Sequence, residues 1–161
     1  MVLQGKYYDK IGVIGYEYPF YVNKRGSDMQ ITRQADYALR AMLYLARNND
    51  GKRSATSRIA AEQQIPSSFL AKIISQLSIA GLIQTSRGAH GGVLMSKPPE
   101  EITLLQVVEA IDGPISLNQC TLVPGSCNFG DSCPMHPIWK DLQCQLVERL
   151  RTTSFADVAK P

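Results

Sequence analysis

The fold is decided by residues 65–96, which have the sequence IPSSFLAKIISQLSIAGLIQTSRGAHGGVLMS. The first half predicts a helix that ends before Gly81, because its apolar residues recur at helical spacing and form one face. We expect that buried face to consist of Phe69, Leu70, Ile73, Ile74 and Leu77. The second half predicts two strands, 82–85 and 93–96, joined by a glycine-rich turn. A helix followed directly by such a hairpin is the second half of a winged helix-turn-helix.

Two more helices are predicted upstream of this stretch. The first begins after Thr32, a favourable N-cap, and carries an apolar stripe at helical spacing. That stripe consists of Ala35, Ala38, Leu39, Met42, Leu43 and Ala46. The second helix is short and spans 58–63, and the sequence Ile-Pro-Ser at 65–67 predicts a tight break after it. Two helices joined by a short turn have helix-turn-helix geometry, although many small helical domains share this pattern.

The C-terminal part is predicted to be helical on both sides of a loop. Thr103 caps a helix that ends at Gly113, the segment 118–135 is loop-like, and a final helix spans about 137–153. The final helix has a wide apolar stripe formed by Ile138, Trp139, Leu142, Leu146, Val147 and Leu150. Such a stripe is typical of a dimerisation helix but would also suit an ordinary core. The predicted fold class is mainly α-helical with a small β-hairpin: a winged helix-turn-helix plus a long C-terminal dimerisation helix.

Charge divides the 161-residue chain into three parts. Residues 29–99 carry nine Lys or Arg and three Asp or Glu, whereas residues 100–161 carry four and eight, so their net charges are +6 and −4. The basic part is predicted to bind DNA, and the acidic part to hold a cysteine loop and the dimerisation helix. Residues 1–28 lack a sustained apolar period and are interpreted as a disordered extension or a mis-assigned start. No apolar run approaches the roughly 18 residues of a spanning helix, which excludes a membrane protein.

Metal-binding chemistry is concentrated near the C-terminus. Cys120, Cys127, Cys133 and His136 place three thiols and an imidazole within 17 residues. Thiolates bind zinc, copper(I) and iron–sulfur clusters, and these wide spacings suit a cluster better than the paired CxxC knuckles of zinc sites. Zinc and unligated thiols stay open as alternatives. Cys144, inside the final helix, is more typical of a packing residue or a free thiol.

The compartment follows from the N-terminus. No secretory signal begins the chain, which predicts a cytoplasmic protein with reduced thiols. In a reducing compartment, clustered cysteines more often serve metal or redox chemistry than a disulfide framework.

Several segments together resemble the IscR/NsrR family of bacterial winged-helix transcription regulators. Residues 29–40, MQITRQADYALR, resemble its N-terminal signature, and residues 65–77 resemble its recognition helix. Residues 85–92 resemble its wing, and residues 105–112 the helix that follows. The three-cysteine loop is similar to that of cluster-binding members. The resemblance covers about residues 29–155 and implies a homodimer on a near-palindromic operator.

The resemblance also implies an iron–sulfur cluster held by Cys120, Cys127 and Cys133. The fourth ligand stays open. His136 stands at the IscR-like position and would favour a 2Fe-2S cluster, whereas Asp36 of the partner subunit would favour a 4Fe-4S cluster, as in some nitric-oxide-sensing members. The six residues between the first two cysteines are one more than in IscR, so the cluster type is not carried over.

The DNA-contacting residues are predicted from their position and charge. Side chains on the outer face of the recognition helix can reach base edges, where lysine suits guanine. Basic side chains in the wing and on the flanking helices suit phosphates or the minor groove, although each arginine could also be an ordinary solvated charge. The predicted set is Arg33, Arg58, Ser67, Ser68, Lys72, Arg87 and His90.

Together, these features predict a transcription regulator, most simply a repressor, whose affinity for double-stranded DNA is controlled by an iron–sulfur cluster. The signal would be redox state, nitric oxide or iron–sulfur status. The alternative is a winged-helix regulator that uses the same cysteines for zinc or as a thiol switch. An enzyme is not expected, because the sequence shows no nucleophile elbow, phosphate loop or acid pair.

Overall fold

The computed structural model describes residues 31–88, 91–122, 128–129 and 132–160, so the predicted extension 1–28 lies outside it. The elements in chain order are α1 (Arg33–Arg47), α2 (Thr56–Gln63), α3 (Ser67–Ile79), β1 (Ile83–Ser86), β2 (Gly92–Met95), α4 (Leu104–Asp112), α5 (Gln119–Leu122), α6 (His136–Thr152) and α7 (Phe155–Ala159). This is the predicted class, mainly helical with one small antiparallel hairpin. None of these helices is long and apolar enough to cross a membrane.

Helix α1 is the centre of the packing. The Thr32 hydroxyl caps it by accepting a hydrogen bond from the amide of Ala35 at 3.2 Å, as the sequence predicts. The inner face of α1 is rich in alanine, which allows neighbouring helices to approach closely, and α2, α3, α4 and α7 all pack against it. The Thr32 hydroxyl also donates to the carboxylate of Asp112 at 2.7 Å, which ties the start of α1 to the end of α4.

The turn between α2 and α3 is fixed by its backbone. Gln64 adopts a left-handed conformation with φ +52°, and its amide closes the end of α2. The next residue, Ile65, is buried and anchors the turn in the core. The Arg40 guanidinium of α1 donates to the carbonyl of Gln63, so α1 also satisfies the end of α2.

The wing is a hairpin with one additional backbone partner. Strand β1 pairs with β2 so that Ile83 opposes Met95 and Ser86 opposes Gly92. Outside these strands, Ser54 exchanges two backbone hydrogen bonds with Val93, at 2.8 and 2.9 Å. Gly92 has φ +153°, and a Cβ there would lie 2.6 Å from the Ser54 carbonyl oxygen. The close approach of these two backbones therefore requires glycine.

A single hydrophobic core extends from the first helices to the last one. Phe155 of α7 is 1% exposed, and its amide donates to the carbonyl of Ile102 at 2.9 Å. A capping box formed by Ser154 and Asp157 starts α7. The sequence did not predict this helix, because five residues are too few to show a helical period.

Two expectations about local structure need correction. Phe69, predicted to be buried with the inner face of α3, is 44% exposed, because it lies at the edge of that face and meets Tyr37, whereas Leu70, Ile73 and Leu77 fill the core. The segment 118–135, predicted to be a loop, contains the short helix α5.

Candidate DNA interface and cysteine site

The outer side of α3 carries the predicted base-reading residues. Ser67, Ser68 and Lys72 are all exposed and lie on the first two turns of the helix. The opposite side of α3 is locked by residues such as Leu70 and Ile73, which are completely buried. All three polar side chains are therefore exposed along the first two turns of a helix whose opposite side is fixed in the core, an arrangement that suits reading of a DNA groove.

Helices α1 and α3 meet along a seam next to that surface. The side-chain amide of Gln34 hydrogen-bonds that of Gln76. One turn further along α1, the ring of Tyr37 meets the ring of Phe69 edge to face, with centroids 6.0 Å apart and planes at 81°. The orientation of α3 is thus set by polar and aromatic contacts to α1 as well as by the core.

The wing presents basic side chains near the same surface. Arg87 is exposed in the turn that follows β1, and His90 lies outside the described residues. Arg53, which the sequence interpretation did not select, precedes the Ser54 bridge and donates to the carbonyl of Gln84 at 3.5 Å. It is therefore a further basic group at the base of the wing. The adjacent lysine and arginine at 52–53 were the signal that could have indicated it.

The two predicted phosphate-binding arginines differ in their surroundings. Arg33 is exposed at the start of α1. Arg58 of α2 donates to Glu62 at 2.7 Å, and this hydrogen bond raises the pKa of its guanidinium. Arg58 must therefore exchange a carboxylate for a phosphate if it contacts DNA, whereas Arg33 has no ion pair among the described residues.

The cysteine site is described in part. Cys120 lies on α5 and Cys133 just before α6; both thiols are half-buried and form no disulfide. The amide of His136 donates to the carbonyl of Cys133 at 3.1 Å, so these two candidate ligands share one turn at the start of α6. Cys127 lies outside the described residues. Within the described ranges, no three His, Cys, Asp or Glu side chains converge as a metal-binding group.

The segment that leads to Cys120 is fastened to α6. The Gln143 side chain accepts a hydrogen bond from the amide of Leu117 at 2.8 Å and donates to the carbonyl of Ile115. Helix α5 also packs against α6. Cys144, by contrast, lies exposed on α6. The thiols of α5 and of the start of α6 are thus held on one scaffold, whereas Cys144 lies further along α6, away from its start.

Asp36, the alternative fourth ligand, is on α1. Its carboxylate is 56% exposed and lies 3.6 Å from the guanidinium of Arg40. The same arginine lies over the ring of Tyr37 at 5.5 Å and reaches the end of α2 through its bond to Gln63. Asp36 is therefore accessible to a second molecule and is connected through Arg40 to the helix-turn-helix.

Helix α6 has an apolar face that the described residues leave partly exposed. Ile138, Leu142 and Leu146, spaced four residues apart, are 50%, 43% and 37% exposed, and no residue of α6 is buried. Beside this face lies a mainly apolar cleft of about 370 Å³ between α4 and α6, whose lining includes Ile31 and Leu150. An exposed apolar face beside an apolar cleft is a candidate contact site for a partner.

Comparison with known proteins identifies the family. Residues 31–161 match the Rrf2 family, described as iron-dependent transcriptional regulators. The chain is 31% identical to the HTH-type transcriptional regulator IscR of Escherichia coli over 130 residues, which cover 81% of this chain and 80% of IscR.

Solved structures give the same result for the fold. CymR, the global cysteine regulator of B. subtilis, superposes with a TM-score of 0.70 at 25% identity, covering 81% of this chain and 95% of CymR. IscR of T. potens superposes with a TM-score of 0.65 at 21% identity, covering 80% of this chain and 85% of that one. These matches confirm the predicted resemblance and the prediction of a regulator rather than an enzyme. The chain belongs to the Rrf2 family of transcriptional regulators.

Proposed function

We propose that this chain is a homodimeric DNA-binding regulator whose operator affinity is controlled by an iron–sulfur cluster. Cys120, Cys127 and Cys133 would hold the cluster, with either His136 or Asp36 of the partner subunit as the fourth ligand. The observation that carries the proposal is the combination in one chain of an exposed recognition surface on α3 and two free, half-buried thiols held on α5 and beside α6. The dimer, the cluster and the repressor role are parts of this proposal.

The donor set fits such a group chemically. Thiolates and an imidazole are the ligands that iron–sulfur clusters take in proteins. Cys133 lies within a turn of the start of the 17-residue helix α6, so its thiol and the His136 imidazole are offered close together in the chain. When bound, the cluster would link the α5 segment to the start of α6 through metal–ligand bonds that are sensitive to redox state and to nitric oxide.

The two candidate fourth ligands differ in what they would restrain. His136 belongs to the same turn as Cys133, so its use would keep the ligand set within one chain. Asp36 of the partner subunit would join the two protomers instead, and Arg40 would then lose its partner at 3.6 Å. Measuring the iron content of the His136→Ala and Asp36→Ala variants separates these cases, because only substitution of the true ligand should lower it.

Hydrogen bonds connect the cysteine segment to the recognition helix. Gln143 fastens residues 115–117 to α6, and Asp112, just before them, holds Thr32 at the start of α1. Further along α1, Gln34 and Tyr37 contact α3. A change in the restraint on the cysteine segment can therefore change the position of α3 through α4 and α1. A difference of about 1.4 kcal/mol between two such arrangements alters DNA affinity tenfold.

The exposed face of α6 suits the dimer contact. Its leucines repeat on one side of a 17-residue helix, and an equivalent helix of a second copy would cover them. The dimer would present two α3 surfaces to two operator half-sites, in the cytoplasm where we expect the DNA and the reduced thiols.

The direct test of the cofactor is anaerobic purification followed by quantification of iron, sulfide and zinc and by visible absorption. The proposal predicts iron and sulfide in comparable amounts, their loss in Cys120→Ser and Cys133→Ser, and their retention in Cys144→Ser. A colourless protein with stoichiometric zinc would instead support the alternative, a zinc-stabilised regulator. A metal-free protein whose DNA affinity responds to oxidants would support a thiol switch, which the free state of Cys120 and Cys133 also allows.

A further inference from the structure

A large apolar side chain is exposed on the recognition helix. Phe69 lies in the first turn of α3, three residues before Lys72, and is 44% exposed. The exposed part of the phenyl ring is apolar surface that a bound ligand could remove from water, with a gain of about 25 cal/mol per Å². Side chains three residues apart are neighbours on a helix surface, so Phe69 adjoins Lys72, one of the predicted base-reading residues, and DNA is the ligand expected to reach both.

The Phe69 ring is held in position before any ligand binds. Tyr37 supports it edge to face at a centroid distance of 6.0 Å, and the Arg40 guanidinium lies over the Tyr37 ring at 5.5 Å. Arg40 also donates to the carbonyl of Gln63, so this stack is connected to the backbone that sets the direction of α3. A preorganised side chain loses little conformational freedom on binding, which favours its use as a reading element.

The chemistry of the major groove limits what a phenyl ring can read there. Base pairs present hydrogen-bonding groups, except that thymine also presents a C5-methyl group, which apolar side chains contact. Lys72 lies three residues after Phe69, on the adjoining part of the outer face, and can donate to the acceptors of guanine. The pair therefore suits a thymine methyl group near a guanine.

We propose that Phe69 recognises a thymine C5-methyl group in each operator half-site, beside the base contacted by Lys72. This inference rests on the DNA-binding role proposed above. The sequence pattern had placed Phe69 in the core, and this inference gives it a role in sequence specificity instead.

The test replaces single thymines by deoxyuridine in a DNA duplex selected in vitro for tight binding to the full-length protein. Deoxyuridine keeps the hydrogen-bonding groups of thymine and lacks only the methyl group. At one position in each half-site we expect a loss of affinity of about fourfold, which corresponds to one buried methyl group. The measurements are made at one fixed salt concentration, because phosphate contacts make affinity salt-dependent.

Variants then connect that position to Phe69. Phe69→Ala should bind thymine and deoxyuridine duplexes equally, whereas Phe69→Leu, which keeps an apolar side chain, should retain part of the discrimination. Ile79→Ala is the matched control, because Ile79 is an apolar residue of the same helix that is 85% exposed at its far end. It should discriminate as the wild type does.

Three results would overturn the inference. The first is a wild-type protein that tolerates deoxyuridine at every position, and the second is a Phe69→Ala variant that keeps the wild-type discrimination. In either case the DNA-binding role would stand, and Phe69 would serve only to support Tyr37. The third, a wild-type protein that selects no duplex at all, would overturn the DNA-binding role together with the inference.

Discussion

The inner face of α3 and the apolar face of α6 differ in how far their side chains are buried. In α3, Leu70, Ile73 and Leu77 are completely buried within one chain. In α6, Ile138 and Leu142 are 50% and 43% exposed, although the helix is longer. The first face is buried by the chain itself, whereas the second is left exposed by the residues that the structure describes and is the proposed dimer contact. Each prediction below tests one side of this difference or the connection between them.

The largest expected effect is a loss of stability when a buried side chain of the hydrophobic core is removed. Phe155→Ala removes a ring that is 1% exposed and should lower the free energy of unfolding by about 3–5 kcal/mol, because it leaves a cavity beside α1. Urea denaturation at fixed protein concentration measures this loss. Val158→Ala in the same helix is the control, since Val158 is 36% exposed. A Phe155→Ala variant as stable as this control would show that α7 is not part of the core.

The next effect concerns the uncovered face of α6. Leu142→Glu places a charge where we expect a second copy to pack. The substitution should cost about 3 kcal/mol of association free energy, which raises the dimer dissociation constant more than a hundredfold. Sedimentation velocity over a concentration series measures the change. Lys140→Glu introduces the same side chain on the opposite side of the helix and should remain dimeric. If both variants dimerise as the wild type does, this face is not the dimer contact.

A smaller effect is expected at the junction between the regions. Thr32→Ala removes the N-cap of α1 and the 2.7 Å hydrogen bond to Asp112, and should lower the free energy of unfolding by about 1 kcal/mol. Thr32→Ser keeps the hydroxyl and should remain close to the wild type. Thermal unfolding of the two variants measures the difference. Equal melting temperatures would show that the Thr32 hydroxyl does not stabilise the contact between α4 and α1.

The smallest effect is a pH dependence at the start of α7. Hydrogen bonds from Ser154 hold the pKa of the Asp157 carboxyl below its ordinary value. The stabilisation that this carboxylate provides is therefore present above its pKa in the unfolded chain and is lost as the pH falls through its lower pKa in the folded chain. Comparing the unfolding of the wild type and Asp157→Asn between about pH 6 and pH 3 should show their stabilities converging in acid. A constant difference over that range would contradict the linkage.

The same contrast explains what the sequence could predict. Helix α1 and the wing followed from local signals, the Thr32 cap and the glycine-rich turn, because those signals act within a few residues. The backbone pairing of Ser54 with Val93 could not be predicted, since it joins segments about 40 residues apart through main-chain atoms. Phe69 was assigned to the core because spacing alone cannot show how many residues the space beneath a helix admits.

The candidate site divides in the same way. The outer face of α3 could be predicted from helical spacing, and Ser67, Ser68 and Lys72 are exposed in the structure, whereas their role in reading bases stays a prediction. The ion pair of Arg58 with Glu62 and the position of Arg53 beside Gln84 depend on side-chain packing in three dimensions. For the cysteines, the sequence supplies the donor types, and their arrangement around a common centre remains a proposal.

The most direct test of the account measures operator affinity in the cluster-loaded and cluster-free states for the wild type, Cys127→Ser and Cys144→Ser, under anaerobic conditions. The account predicts a difference between the two states of at least about tenfold for the wild type and Cys144→Ser. Cys127→Ser should have one affinity under both treatments. If Cys127→Ser matches the wild type under every redox and cluster-loading condition, the proposed control of DNA binding by the cysteine site is wrong.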